Sequence, residues 1–226
     1  MSIEQNFDSV QKRLRLAAER AGRSPEQIQL VAVSKKQPIE KLQAAFDWGQ
    51  RIFGENRVQE MKQKAPLLSD RIEWRLIGHL QKNKIRQVLP IASMIESVDS
   101  LELATQINRI AGEIGARPQV LLEVNLAGEA SKYGFDPDAL PTNIEPLLAL
   151  DRLEIIGLMA IPPMAPEPET SRPYFVRLRE LRDRLQEECA ISLPQLSMGM
   201  SADFEIAIEE GATIVRVGSA FFGSRT

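Results

Sequence analysis

The stretch IQLVAVSKKQP, residues 28–38, decides between two architectures. Its apolar run has the length and β-branched content of a buried strand. An open, doubly wound sheet usually carries its phosphate loop after the first strand, as a GxGxxG turn. Here the strand runs into SKKQP with no glycine, so it reads as the first stave of a closed barrel.

Working outward, seven more strands are expected at 51–55 (RIFGE), 73–79 (EWRLIGH), 93–98 (SMIESV), 118–126 (PQVLLEVNL), 153–161 (LEIIGLMAI), 195–199 (QLSMG) and 213–218 (TIVRVG). The first is taken to span 28–35, and each strand is followed by a helical pattern. Eight β-α units over residues 1–226 fit a single (β/α)8 TIM barrel in one domain. A charged amphipathic helix at 3–22, inside an N-terminal extension of residues 1–27, precedes the first strand. Asp99 with Glu102 reads as a capping box, opening a helix with Leu103, Ile107, Ile110 and Ile114 on its apolar face. Tyr174, Phe175, Leu178, Leu181 and Leu185 form another apolar stripe. Arg177, Arg179, Arg182 and Arg184 beside it are expected on a solvated face. The proline-rich segment IPPMAPEPET, 161–170, is short enough to be a rim loop after the sixth strand.

Composition removes several classes of function. Hydrophobic residues at 43% and charged residues at 26% belong to an ordered globular chain. The formal net charge of −3 lacks the basic excess of a nucleic-acid binder. Cys189 is the one cysteine, so neither an intramolecular disulfide nor a cysteine zinc site is available, and His79 is the one histidine, so no multi-histidine metal site is expected. The first residues lack the apolar segment of a signal peptide, and no apolar run reaches membrane-spanning length. A cytoplasmic protein is expected.

Barrel chemistry gathers at the carboxyl ends of the strands. Those ends carry Lys35, Asn56, His79, Glu123, Met159, Ser201 and Arg216, with Gly218 and Ser219. Val31, Val33 and Lys35 share one face by alternation. If that face is the interior, Lys35 closes an apolar column, where partial desolvation suits a nucleophilic amine. The plainer alternative is a strand-end lysine that reaches water or pairs with Glu123 or Glu55. Ser201 stands where it would cap a helix ending at Gly211, and Gly218-Ser219 leads out of the eighth strand. Helix starts after the seventh and eighth strands are favoured phosphate sites. Taken singly, each is an ordinary cap or turn. Arg216 must find an acceptor inside the barrel, either Glu123 or the ring nitrogen of a heteroaromatic ligand. Lysine, arginine and anion cradle match the aldehyde, ring nitrogen and phosphate of pyridoxal 5′-phosphate (PLP).

The segments LVAVSKKQP, FGENRVQE, WRLIGHLQKNK, LLEVNLAGEASKYGF, GLMAIPP and LSMGMSADFEIAIEEGATIVRVGSAFFGSR together resemble the PLP homeostasis protein family, over residues 28–225 and in order. The resemblance implies a fold-type III PLP barrel, similar to the N-terminal domain of alanine racemase. It further implies a role in vitamin B6 and amino-acid homeostasis without established catalysis. It assigns Lys35 to the Schiff base with PLP and Ser201, Gly218 and Ser219 to the phosphate. Arg216 then takes the pyridine nitrogen, and Asn56, His79 and Met159 line the pocket. The sequence departs from the pattern where Lys36-Gln37 follows Lys35 in place of threonine, which bears on what that loop contacts.

The function expected is a monomeric PLP-binding protein without turnover, with PLP-dependent apo-enzymes as partners. The runner-up is a fold-type III racemase or decarboxylase. A Schiff-base aldolase needing no cofactor is a third reading, separable by colour.

Overall fold

The computed structural model describes residues 2–129, 133–163 and 166–223. Parts of the family segment and of the rim loop, at 130–132 and 164–165, and the end of the last segment at 224–226, lie outside the described residues. Among the described residues the strands are β1 (Gln29–Val33), β2 (Ile52–Glu55), β3 (Glu73–Leu76), β4 (Ala92–Val98), β5 (Gln119–Glu123), β6 (Glu154–Met159), β7 (Gln195–Met200) and β8 (Ile214–Val217). All pair in parallel in chain order and close into a barrel, β8 returning to β1 with Val31 opposite Arg216 and Ala32 opposite Val217. The (β/α)8 expectation holds.

Alternation sorts the strand residues into two layers. Leu30 and Ala32 face the surrounding helices, whereas Val31, Ile77, Met94, Leu121, Met159 and Ile214 form a separate apolar cluster inside the ring. Val33 packs against that inner cluster, so the face carrying Val31 and Val33 is the interior. Interior positions are not all apolar, since Arg75, Glu96, Ser197 and Arg216 are also buried.

The helices are α1 (Ile3–Arg20), α2 (Ile39–Asp47), α3 (Val58–Lys64), α4 (Ile85–Val88), α5 (Leu101–Ile114), α6 (Glu145–Leu148), α7 (Arg172–Cys189), α8 (Phe204–Glu209) and α9 (Ser219–Phe222). The N-terminal helix α1 opens with a capping box, the Gln5 N–H donating to Ser2 Oγ at 3.2 Å and the Ser2 N–H to Gln5 Oε1 at 3.0 Å. It lies against α8, α9 and α2, across the seam where β8 meets β1. Val10, Leu14, Ala17 and Ala18 are its buried stripe. Arg13 donates to Glu205 at 2.6 Å and sits 4.5 Å above the Phe204 ring, while Phe7 meets Phe221 edge-on.

Three local expectations are corrected. Ser100, not Asp99, caps α5, its Oγ accepting the Leu103 N–H at 3.3 Å, because the Asp99 carboxylate is engaged by His79. Ile114 ends that helix exposed, the buried stripe closing with Ile110 and Ala111. β1 stops at Val33, so Lys35 stands on a turn rather than within the strand. On α7 the stripe Phe175, Leu178, Leu181 and Leu185 is buried as expected, with Tyr174 half-buried. Of its arginines, Arg177 pairs with Asp138, Arg179 with Glu210 and Arg182 with Asp183.

Candidate functional site

Lys35 leaves the carboxyl end of β1 half-buried, on a turn built with unusual backbone geometry. Lys36 has a φ of +59°, a left-handed conformation that a lysine seldom adopts. The Gln37 N–H donates to the Ser34 carbonyl at 3.0 Å, closing the turn. In the neighbouring strand β8 the chain continues into Gly218 and Ser219. Gly218 lies against the end of β1, where an added Cβ would sit 3.4 Å from Val33 Cβ. The turn bearing Lys35 and the turn bearing Ser219 are thus adjacent on the barrel rim.

Ser201 is not a helix cap. α8 begins at Phe204, preceded by Asp203, whose carboxylate accepts the Met200 N–H at 2.7 Å and the Ser171 hydroxyl at 2.8 Å. Ser201 Oγ instead accepts the N–H groups of Gly218 at 3.1 Å and Ala220 at 3.3 Å, fastening the β7 turn to the start of α9. With both lone pairs engaged, its hydroxyl hydrogen is left to donate. The Ser219 N–H opens α9 and has no intrahelical acceptor. The result is a compact donor set, bordered by a glycine that leaves it room.

Arg216 rises between these turns. It is 4% exposed and donates to Ser197 Oγ at 2.5 Å and to the Ala160 carbonyl at 2.8 Å. Ser197 Oγ in turn donates to Glu96 Oε2 at 2.6 Å. The other Glu96 oxygen lies 3.6 Å from Arg75, which donates to Gln29 at 2.6 Å. Burial pushes the Arg216 guanidinium below its usual value, opposed by Glu96, Glu123 and Asp203. Glu123 acts on it by charge alone; Ser197 and Ala160 take two of its five N–H donors. Glu96 and Ser197 were absent from the sequence-based set, although a carboxylate inside the apolar strand SMIESV is a signal that could have found them.

His79, 37% exposed by its side chain, holds Asp99 Oδ2 at 2.8 Å through Nδ1 and stacks on Tyr133 with ring centroids 3.8 Å apart. Glu123 faces this pair. Its carboxyl is pushed up to about 6, first by burial and then by Asp99, against the pull of Arg216 and His79. Cavities of about 680 and 490 Å³ flank His79, the second bordered by Asn56, Arg57 and Lys84. Asn56 Oδ1 is buried without a hydrogen-bond partner. Gly78 permits the ends of β2 and β3 to meet here, since a Cβ would fall 2.6 Å from the Asn56 carbonyl. Met159 lies deeper, fully buried among the inner apolar residues. Lys35, Ser201, Arg216, Gly218 and Ser219 thus share one side of the mouth, with Asn56 and His79 on the β2–β3 side and Met159 at the floor.

These residues fit PLP chemically. An amine, an always-charged guanidinium and a cluster of N–H and O–H donors answer an aldehyde, a ring nitrogen and a phosphate. The family model for the alanine racemase N-terminal domain matches residues 5–226. A protein of Aquifex aeolicus named pyridoxal phosphate homeostasis protein is 44% identical over 226 residues, covering 100% of this chain and 99% of its own. One of that name from Pseudomonas aeruginosa is 42% identical, covering 99% and 96%. The structure of PipY from Synechococcus elongatus, solved with PLP bound, superposes with a TM-score of 0.86 at 37% identity, over 98% of this chain and 100% of that one. Fold, residue pattern and full-length identity converge: the chain belongs to the pyridoxal phosphate homeostasis protein family.

Proposed function

We propose that the chain binds PLP covalently on Lys35 and serves vitamin B6 homeostasis by holding the cofactor and yielding it to apo-enzymes that need it. The observation that carries this reading is the adjacency of the β1 turn bearing Lys35 to the Ser201–Gly218–Ser219 donor set across the β8–β1 seam. When bound, PLP supplies an aldehyde that condenses with an amine, releasing water, and a ring that can withdraw electrons. The protein does the rest: Ser201 Oγ–H and the Ser219 N–H hold the phosphate, and Arg216, anchored through Ser197 and Ala160, donates to the ring nitrogen.

That choice of donor argues against sustained turnover. A guanidinium gives a hydrogen bond but keeps its proton, so the ring nitrogen stays unprotonated and the ring is a weak electron sink. The site also opens to solvent beside His79, whereas controlled carbanion chemistry requires water to be excluded.

The test is absorbance with borohydride reduction and peptide mapping. Wild-type protein is expected to be yellow and labelled on Lys35. Lys35→Ala is expected to lose the absorbance while folding with stability within about 1 kcal/mol of wild type. Colourless protein that PLP cannot reconstitute would overturn the reading.

A second reading, a fold-type III racemase or decarboxylase, draws on one observation: the His79–Asp99 pair and the raised Glu123 carboxyl border the same mouth. Deuterium incorporation at the Cα of an amino acid in heavy water, lost in Lys35→Ala, would establish it.

A further inference from the structure

Beneath the turn that bears Lys35 lies a buried charge cluster that the binding site as described does not use. Lys64, the last residue of α3, is 8% exposed. A lysine at that position would ordinarily extend into water, as its neighbour Lys62 does to reach Gln87. Lys64 instead turns inward and donates to the Ser34 carbonyl at 2.8 Å, to Glu55 Oε1 at 2.7 Å and to Glu60 Oε2 at 3.1 Å. The same Glu60 oxygen accepts the Lys36 N–H at 2.7 Å. Ser34 Oγ donates to Glu55 Oε1, also at 2.7 Å. Both peptide flanks of Lys35 are therefore tied to one ammonium: Ser34 directly and through Glu55, Lys36 through Glu60.

Closing α3 does not require this. Withdrawing an ammonium and a fully buried carboxylate from water is costly, and well-packed apolar residues of equal volume commonly replace such pairs without loss of stability. What the pair does specify is conformation. The left-handed Lys36 is unfavourable for a side chain bearing a Cβ, and the Glu60 hydrogen bond holds it there. The consequence falls on the residue between the two anchors, whose side-chain direction follows from its flanking peptides.

We propose that Lys64 is a positioning residue for cofactor attachment: with Glu55 and Glu60 it fixes the turn so that the Lys35 amine, and not that of Lys36, meets the aldehyde. This rests on Lys35 as the attachment residue of PLP. The two lysines are adjacent, and the exposed Lys36 is chemically as competent; the clamp gives Lys35 the position.

The experiment compares wild type with the double variant Glu55→Gln/Lys64→Met, which removes the buried charges together and leaves Ser34 an acceptor. PLP is added to each full-length protein. Three readouts are taken: the dissociation constant, the rate at which borohydride-trapped label accumulates, and the division of that label between Lys35 and Lys36. The expected result is about a ten-fold weaker affinity, slower trapping, and label appearing on Lys36. Unchanged affinity with label confined to Lys35 would overturn the proposal. So would weaker affinity with the rate and place of trapping unchanged, which marks a general loss of packing. If the double variant does not fold, Glu60→Ala, which alters a partly exposed side chain, is judged by the same three readouts. Wild-type protein that binds PLP without label on Lys35 defeats the parent reading instead, and is distinguished by that arm alone.

Discussion

Ser201 shows how one hydroxyl can join two turns. Its oxygen holds the N–H groups of Gly218 and Ala220, so Ser201→Ala frees two donors and removes a third. PLP affinity is expected to fall about five- to ten-fold, and stability by about 1 kcal/mol, read by titration and urea unfolding. Glu123 gives a residue-level test in pH. An unfolded glutamate titrates near about 4.3, below the value of about 6 reached in the fold. Folding therefore favours the protonated form. The associated stability is complete below the unfolded value and is lost as pH rises through the folded one, a drop of about 1–2 kcal/mol. Glu123→Gln is expected to abolish that drop, so the variant gains on wild type in melting temperature between pH 4 and pH 7. Parallel curves would show that Glu123 titrates normally. Arg216 was legible in the sequence because period-two alternation sets it inward with Ile214, and it is buried there. Alternation does not reach Lys35, which follows the end of β1 on a turn. Ser201 was misread as a cap because SADF before an apolar run has the local look of one. Its actual partners lie 17 and 19 residues ahead, beyond any local pattern.

At the scale of elements, the strands were legible to within three residues at their ends, since apolar runs and glycine breaks mark them. What α1 does was not legible. Its amphipathic pattern announces a helix with one buried face but not the surface it covers, and that surface is the last unit of the barrel. Arg13 also reaches the Ser201 carbonyl, at 3.4 Å, and Arg23 donates to the carbonyls of Ile208 and Ala212, both at 2.8 Å. The helix therefore backs the Ser201–Gly218–Ser219 donor set from outside. Leu14, on the buried stripe of α1, is 3% exposed. Leu14→Ala is expected to cost about 2–5 kcal/mol by urea unfolding. It should also weaken PLP retention, although Leu14 lies outside the binding mouth. Stability loss with PLP affinity intact would show that α1 props the barrel without shaping the cradle. The same limit applied to the clamp under Lys35: the residues of FGENRVQEMKQK read as strand end and helix, and only the fold turns Lys64 back toward β1.

For the molecule as a whole, the barrel is two bodies in one: an apolar shell between strands and helices, and an interior where a polar chain runs from Gln29 through Arg75, Glu96 and Ser197 to Arg216. Arg216 is held at the end of this chain by direct hydrogen bonds to Ser197 and Ala160, and Ser197 by Glu96, while Arg75 meets Glu96 as an ion pair at 3.6 Å. The mouth is thus largely prepared before ligand arrives, and binding should register as stability. At a PLP concentration a hundred times its dissociation constant, the gain is about 2.7 kcal/mol. For a chain of this size that raises the melting temperature by about 5–10 °C. Differential scanning calorimetry with and without PLP measures it, and Lys35→Ala should show little of the gain. Among the described residues no helix is long and apolar enough to cross a membrane.

The closure of β8 onto β1 also orders events in time. The Lys35 turn follows the first stave and the Ser201–Gly218–Ser219 donors follow the last two, with α1 laid over the joint. A ribosome that has delivered seven staves has made nearly all of the ring but neither Arg216 nor the Gly218–Ser219 turn. If Lys35 and the Ser201–Gly218–Ser219 donors hold PLP as proposed, a nascent polypeptide can take up the vitamin only once the eighth stave has emerged.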